Sequence, residues 1–162
     1  MSAVRPKAGR GYTLIEMLVT LAVLSCLATL VVPVAALGVQ RQQERELRQA
    51  LRELRAAIDA YKRAYDQGHI VHAIDGSGYP PRLETLVDGV EDAMDPQHRK
   101  IYFLRRIPRD PFSLDAMGKA SDTWLKRSYR SDADHPEEGG DVYDVLSRSE
   151  RKGLNGRVYA EW

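Results

Sequence analysis

Residues 11–37 read GYTLIEMLVTLAVLSCLATLVVPVAAL, and this stretch decides how the rest of the chain is interpreted. It contains a single charged residue, Glu16, and the next charge along the chain is Arg41. A run of about 20 apolar residues is long enough to cross a bilayer as an α-helix. The sequence therefore predicts a membrane-spanning helix near its start, followed by about 120 residues, enough for one small domain.

The charges are balanced in number but unevenly placed. The 162 residues include 24 Lys plus Arg and 23 Asp plus Glu, a formal net charge of +1. This balance excludes polyanion binding through bulk positive charge, so no nucleic-acid partner is expected. Arg5, Lys7 and Arg10 precede the apolar run, and no acidic residue does. By the positive-inside rule, we expect the start of the chain in the cytoplasm and the remainder on the other side of the membrane.

Two common kinds of N-terminus fit part of this pattern. A secretory signal peptide cut near Val34-Ala35-Ala36 would have a shorter apolar region, whereas a plain signal anchor fits both the length and the flanking charge. Neither accounts for Glu16, because a carboxylate in a membrane helix is costly and usually has a partner. If the chain were cut after Gly11, the new amino group of Tyr12 would lie about one helical turn from Glu16.

The segment Gly11-Tyr-Thr-Leu-Ile-Glu16, followed by the apolar run, resembles the prepilin processing and methylation motif of type IV pilins and type II secretion pseudopilins. The resemblance implies that a membrane prepilin peptidase cuts after Gly11 and methylates Tyr12, which stands where the family usually has phenylalanine. It also implies assembly roles for Glu16, the fifth residue of the mature chain, and for Pro33, where the family usually has a helix-softening proline.

After the apolar run the chain turns hydrophilic but keeps a helical period. Six apolar residues recur at steps of four and three, the pattern of an amphipathic helix. They are Leu47, Leu51, Leu54, Ile58, Tyr61 and Tyr65. The stripe lasts only about three heptads, which favours packing on the downstream residues of the chain over a coiled coil. Joined to the apolar run, it predicts one helix from Tyr12 to about Asp66, roughly 80 Å long.

The downstream residues predict a small α+β domain. Gly68 and the Gly76–Pro81 cluster end the helix, and residues 82–88 form a short helix. Strands are predicted at residues 101–104, 124–129 and 142–146, with a turn at Asn155-Gly156.

Three downstream segments are similar to those of the G-type, or major, pseudopilins of type II secretion: residues 78–86, 104–111 and 141–147. This resemblance implies a pilin-like α+β fold, with a long N-terminal helix packed on a small antiparallel sheet. The expected parts are a cleaved leader (1–11), a transmembrane half-helix (12–37), an amphipathic periplasmic half-helix (38–66) and a globular domain (67–162).

Cysteine use and acidic residues bear on how the C-terminal loop is ordered. Cys26 is the only cysteine in the sequence and lies in the apolar run, so no internal disulfide is expected in the downstream domain. G-type pseudopilins typically order this loop with calcium, and oxygen donors suited to calcium recur here, but basic residues interrupt them. No metal ligands are assigned, calcium is a candidate only, and zinc at His69 and His72 is not expected. The oxygen donors are Asp141, Asp144, Ser147, Ser149, Glu150 and Asn155.

No catalytic motif is present in the sequence, so we do not expect an enzyme. The sequence predicts a structural subunit of a periplasmic pseudopilus filament, single-pass in the bacterial inner membrane, with its C-terminal domain in the periplasm. Its expected partners are copies of itself, prepilin peptidase/methyltransferase, an inner-membrane assembly platform and other pseudopilins. The alternatives are a minor subunit of a type IV pilus and a membrane-anchored periplasmic enzyme or binding domain.

Overall fold

The computed structural model describes residues 11–72, 76–115 and 117–162, without the side chains of residues 30–33. The chain divides into two units, one ending at Gln40 and the other running from Arg41 to Trp162. The predicted leader lies outside the described residues except for Gly11.

The first helix, α1, spans Leu14–Asp66, beginning two residues later than predicted. Gly68 ends it with φ +83°, the left-handed conformation that glycine adopts without steric cost. The N–H of His69 donates to the carbonyl of Ala64 at 2.9 Å, and the N–H of Gly68 donates to the carbonyl of Tyr65 at 3.0 Å. These two bonds form a Schellman motif, which satisfies the last helical carbonyls and confirms the predicted helix end.

The apolar stripe of α1 is the centre of the core in the unit that begins at Arg41. Leu47, Leu51, Leu54, Ile58 and Tyr61 are buried and Tyr65 is half-buried, so the predicted amphipathic period is confirmed. They pack with apolar side chains from the rest of this unit, among them Leu83, Leu86, Leu104, Phe112, Trp124, Val142, Val145 and Tyr159. The stripe therefore packs on the chain's own downstream residues.

The β structure consists of two separate two-stranded antiparallel sheets, where the sequence predicted one small sheet. Strands β1 (Val90–Glu91) and β2 (Lys100–Ile101) pair in the first, and β3 (Trp124–Arg127) and β4 (Asp144–Ser147) pair in the second. The second helix, α2, is Thr85–Asp88. Short 3₁₀ turns cover Ala120–Thr123 and Tyr159–Glu161.

The predicted strand at residues 101–104 is wrong beyond Ile101. The N–H groups of Phe103 and Leu104 both donate to the carbonyl of Leu86, at 3.0 and 2.9 Å, so α2 takes the main-chain bonds that a longer strand would need. The predicted turn at Asn155-Gly156 is present. Gly156 has φ +80°, and Lys152 and Val158 form an antiparallel bridge across it.

Candidate functional site

The Thr13 to Glu16 part of the sequence motif forms the start of α1. Thr13 is the residue before the helix, and its Oγ1 accepts a hydrogen bond from the N–H of Glu16 at 3.2 Å. The carbonyl of Thr13 accepts from the N–H of Met17 at 3.1 Å, the first helical bond. A threonine followed three residues later by glutamate is a capping-box pattern. Thr13 therefore fixes the first turn immediately after Tyr12.

The bond between Gly11 and Tyr12 lies outside the helix. Both residues are non-helical and exposed, and Tyr12 exposes 78% of its surface. Among the described residues, no atom beyond the two chain neighbours lies within 4 Å of a Cβ placed on Gly11. Thr13 separates this bond from Leu14, the first residue of the helix.

Glu16 is exposed in the first turn of α1, where the partial positive charge of the helix end favours a carboxylate. This placement gives Glu16 a local stabilising role in the uncut chain. The predicted pairing with the amino group of Tyr12 requires the cut terminus and stays a prediction.

The apolar half of α1 exposes large side chains on every face. Leu14, Ile15, Leu18, Leu21 and Leu24 each leave more than half of their surface exposed. The most apolar window of α1 has a mean hydropathy of 2.5 and none of it is buried. A helix that is apolar all round requires an apolar environment, either lipid or neighbouring helices. By length and composition, α1 is able to cross a membrane.

The polar side chains of this segment bond within the helix. The hydroxyl groups of Thr20, Ser25 and Thr29 donate to the carbonyls of Met17, Leu21 and Cys26, at 2.9, 2.8 and 2.8 Å. Each donor is thus satisfied without water, as hydrocarbon requires. Pro33 lies within α1, its side chain is outside the described residues, and its assembly role stays a prediction.

Five of the six residues considered for calcium have side-chain oxygens that bond to different protein groups. Asp144 bonds to Arg55 at 2.8 Å, and the hydroxyl of Ser147 donates to Asp110 at 2.6 Å. Asp141 accepts from Ser128, and the side-chain oxygens of Ser149 and Asn155 accept from main-chain N–H groups. Among the described residues, no group of three or more His, Cys, Asp or Glu side chains is placed to hold a metal ion.

The two histidines after α1 take separate partners. His69 Nδ1 lies 2.9 Å from Asp92 Oδ1, and the ring of His72 stacks on Tyr65 with centroids 4.1 Å apart. The hydrogen bond with His69 is the main reason that the pKa of Asp92 is lowered. These contacts fasten the residues after α1 to the helix end and to the β1–β2 connection.

Sequence reasoning missed a buried polar contact between α1 and the C-terminal segment. Glu44 is only 3% exposed, and its carboxylate accepts from the N–H of Leu154 and the hydroxyl of Tyr159. One signal pointed to it: Glu44 lies three residues before Leu47, in phase with the apolar stripe. A charged residue in phase with a buried stripe requires a buried partner.

A family model and two relatives of known name are similar to this chain. The family description "Prokaryotic N-terminal methylation motif" matches residues 6–32, a span that contains Gly11, Tyr12 and Glu16. The chain is 30% identical over 110 residues to the type II secretion system core protein G of Klebsiella pneumoniae, covering 65% of this chain and 71% of that protein. It is 27% identical to the Klebsiella michiganensis core protein G, covering 68% and 73%.

No solved structure matches the chain. The methylation-motif match includes the exposed Gly11–Tyr12 bond and the capped start of α1, and the similarity to core protein G covers 65% of the chain. The chain belongs to the type II secretion system core protein G family and is a pseudopilin.

Proposed function

We propose that this chain is a structural, non-catalytic subunit of a periplasmic filament in type II secretion. The observation that carries the proposal is the apolar half of α1, which exposes large side chains on all faces and begins directly after an accessible Gly11–Tyr12 bond. In the membrane, lipid covers this surface. In a filament, the same half-helices of neighbouring subunits cover it, so one segment serves as both anchor and polymer core.

Processing precedes assembly in this proposal. Prepilin peptidase/methyltransferase cuts between Gly11 and Tyr12 on the cytoplasmic side and methylates Tyr12. The basic residues Arg5, Lys7 and Arg10 keep this end in the cytoplasm, which leaves the unit from Arg41 onward in the periplasm. An inner-membrane assembly platform then extracts the subunit and adds it to copies of itself and to other pseudopilins.

In the assembled state, Glu16 pairs with the amino group of Tyr12 in a neighbouring subunit. A carboxylate without a partner is costly in an apolar environment, and pairing with the methylated amine offsets that cost. The pair also fixes the axial register between neighbouring subunits, because each amine can pair with only one carboxylate along the filament axis. The relatives named core protein G support a secretion filament over a type IV pilus.

Two measurements test this function. Mass spectrometry of the purified mature chain is expected to show an N-terminal methylated Tyr12. An intact Met1 would indicate a plain anchor, and a start at Leu37 would indicate a secreted domain; either result contradicts the proposal.

The second measurement compares Glu16→Gln with Asp134→Asn, which removes one negative charge from an exposed loop. Glu16→Gln is expected to be cut normally and to lose most filament formation, judged by crosslinking and electron microscopy, while Asp134→Asn assembles as the parent does. Normal filament levels in Glu16→Gln would contradict the role given to Glu16.

A further inference from the structure

We propose that two charged side chains of α1, Glu44 and Arg55, hold the C-terminal segment (residues 148–162) in place without a bound metal ion. We call this pair, together with its bonds to that segment and to β4, the charge clamp. The proposal concerns how the periplasmic unit is ordered and does not depend on filament assembly.

Glu44 forms one end of the charge clamp. Its Oε1 accepts a hydrogen bond from the N–H of Leu154 at 2.7 Å and another from the hydroxyl of Tyr159 at 3.1 Å. Its Oε2 lies 3.4 Å from a guanidinium nitrogen of Arg48. A carboxylate buried to this degree is tolerated only when donors surround it, and here two of the three come from the C-terminal segment.

Arg55 forms the other end, about three turns further along α1. Its Nη1 donates to the carbonyl of Trp162 at 2.9 Å, its Nη2 to the carbonyl of Val145 at 3.2 Å and its Nε to Asp144 at 2.8 Å. One planar guanidinium thus joins the helix, β4 and the end of the C-terminal segment. Its fixed fork of donors makes this geometry specific to arginine.

Aromatic packing fills the space between the two ends. The ring of Tyr159 stacks on Phe112 with centroids 4.0 Å apart and meets Trp162 edge-on at 5.1 Å. The guanidinium of Arg48 lies 4.3 Å from the centre of the Trp162 ring. Tyr159 is fully buried and Glu44 nearly so, and a hydrogen bond is stronger in such a water-poor environment.

The charges of the segment oppose a cation. Arg148, Arg151 and Lys152 bring three positive charges into the same stretch as the oxygen donors considered for calcium. Arg148 bonds to Glu138 at 3.2 Å, and the guanidinium of Arg151 lies 5.4 Å from the centre of the Phe112 ring. The group that orders the C-terminal segment is therefore the carboxylate of Glu44, which accepts hydrogen bonds from it. No metal ion is needed for this ordering.

The first test uses the unaltered full chain in detergent micelles. We expect its thermal unfolding temperature to be the same, within about 1 °C, in EGTA and in millimolar CaCl₂, because a ligand that does not bind the native state does not shift its stability. We also expect no saturable binding of radioactive calcium in equilibrium dialysis. A saturable rise in unfolding temperature with calcium would overturn the proposal.

The second test measures hydrogen exchange in variants of the full chain. Glu44→Leu is expected to increase the exchange rate of the amides at 152–159 at least tenfold, and Glu44→Gln, which keeps one acceptor oxygen, to increase it less. Glu53→Gln is the matched control, since it removes an exposed charge from the same helix and is expected to change nothing.

Unchanged exchange at 152–159 in Glu44→Leu would overturn the clamp. If Glu44→Leu does not fold, Arg55→Lys serves in its place, because lysine keeps the charge but loses the fork. The expected result is faster exchange near Trp162, and unchanged exchange there would overturn the role of Arg55.

Discussion

The hydroxyl of Ser147 donates a 2.6 Å hydrogen bond to the carboxylate of Asp110, and both side chains are buried. The other oxygen of Asp110 accepts from the N–H of Phe112 at 2.8 Å. Through this pair, the turn at residues 110–113 is fixed against β4, which places Phe112 under Tyr159. The position of the C-terminal segment thus depends on a contact between residues 37 apart in sequence.

Ser147→Ala is expected to lower the free energy of unfolding by about 1–3 kcal/mol, because it leaves a buried carboxylate without one of its donors. The N–H of Ser149 also loses its acceptor, the Ser147 hydroxyl, at 3.1 Å. Denaturant unfolding followed by near-ultraviolet circular dichroism measures the change. Ser149→Ala is the control and is expected to stay within about 0.5 kcal/mol of the parent. Equal stabilities for the two variants would contradict the importance of the Asp110–Ser147 bond.

Arg55 and Asp144 are expected to be coupled by about 1 kcal/mol in a double-mutant cycle of Arg55→Met and Asp144→Asn, in which each single variant removes the ion pair. The value is modest because the two side chains are 36% and 23% exposed, so solvent screens their charges. The unfolding free energies of the parent, both single variants and the double variant provide the measurement. Strictly additive effects would show that Arg55 acts through its two carbonyl partners alone.

Gly153→Ala is expected to destabilise the chain by roughly 1–3 kcal/mol through overpacking. A Cβ at Gly153 would lie 2.7 Å from the Trp162 ring and 3.0 Å from the Tyr159 ring. Gly140→Ala is the matched control, because a Cβ there meets no atom of the described residues within 4 Å, its chain neighbours apart. Thermal unfolding of both variants tests this, and a parental midpoint for Gly153→Ala would show that the C-terminal segment shifts freely.

Asp141 is expected to make stability fall in acid. Burial raises the pKa of its carboxyl, but hydrogen bonds from Ser128 and Ser77 and from the N–H of Tyr129 outweigh burial, and the net pKa lies below the ordinary 3.8. A folded-state pKa below the unfolded value favours the native state above about pH 3.8, and this contribution is lost as pH falls through the folded pKa.

The measurement is the free energy of unfolding between pH 5 and pH 3 for the parent and for Asp141→Asn. The parent is expected to lose stability more steeply, since the variant no longer has this carboxyl to protonate. Parallel curves would place the acid sensitivity elsewhere, for example at Asp92, Asp95 or Asp115, whose pKa values are also lowered.

Periodicity predicted the parts of the fold that depend on local sequence. The stripe from Leu47 to Tyr61 marks the buried face of α1, and glycine at 68 and 156 marks positions with positive φ. The pairing of β3 with β4 was not predicted, although strands were predicted at residues 124–129 and 142–146, which overlap the observed β3 and β4. The partner of β2 was missed because Val90–Glu91 is too short to show alternation.

The motif around Gly11 was readable because its residues are adjacent in sequence. The charge clamp was not, because its bonds join Glu44 to Leu154 and Arg55 to Trp162 across 110 and 107 residues. On an amphipathic helix, a charged residue is expected to face water unless its partner is known. These partners are brought together only by folding, so the charge clamp could not be predicted from the sequence pattern.

The position of Trp162 has a spectroscopic consequence. The protein has two tryptophans, Trp124 and Trp162, and both lie in the unit that begins at Arg41. Trp124 is fully buried on β3, whereas Trp162 is partly exposed beside Arg48 and Tyr159. With Trp124 replaced by phenylalanine, Trp162 is the single emitter. Its fluorescence then becomes an intrinsic optical reporter of whether the charge clamp is formed, with no contribution from the apolar half of α1, which contains no tryptophan.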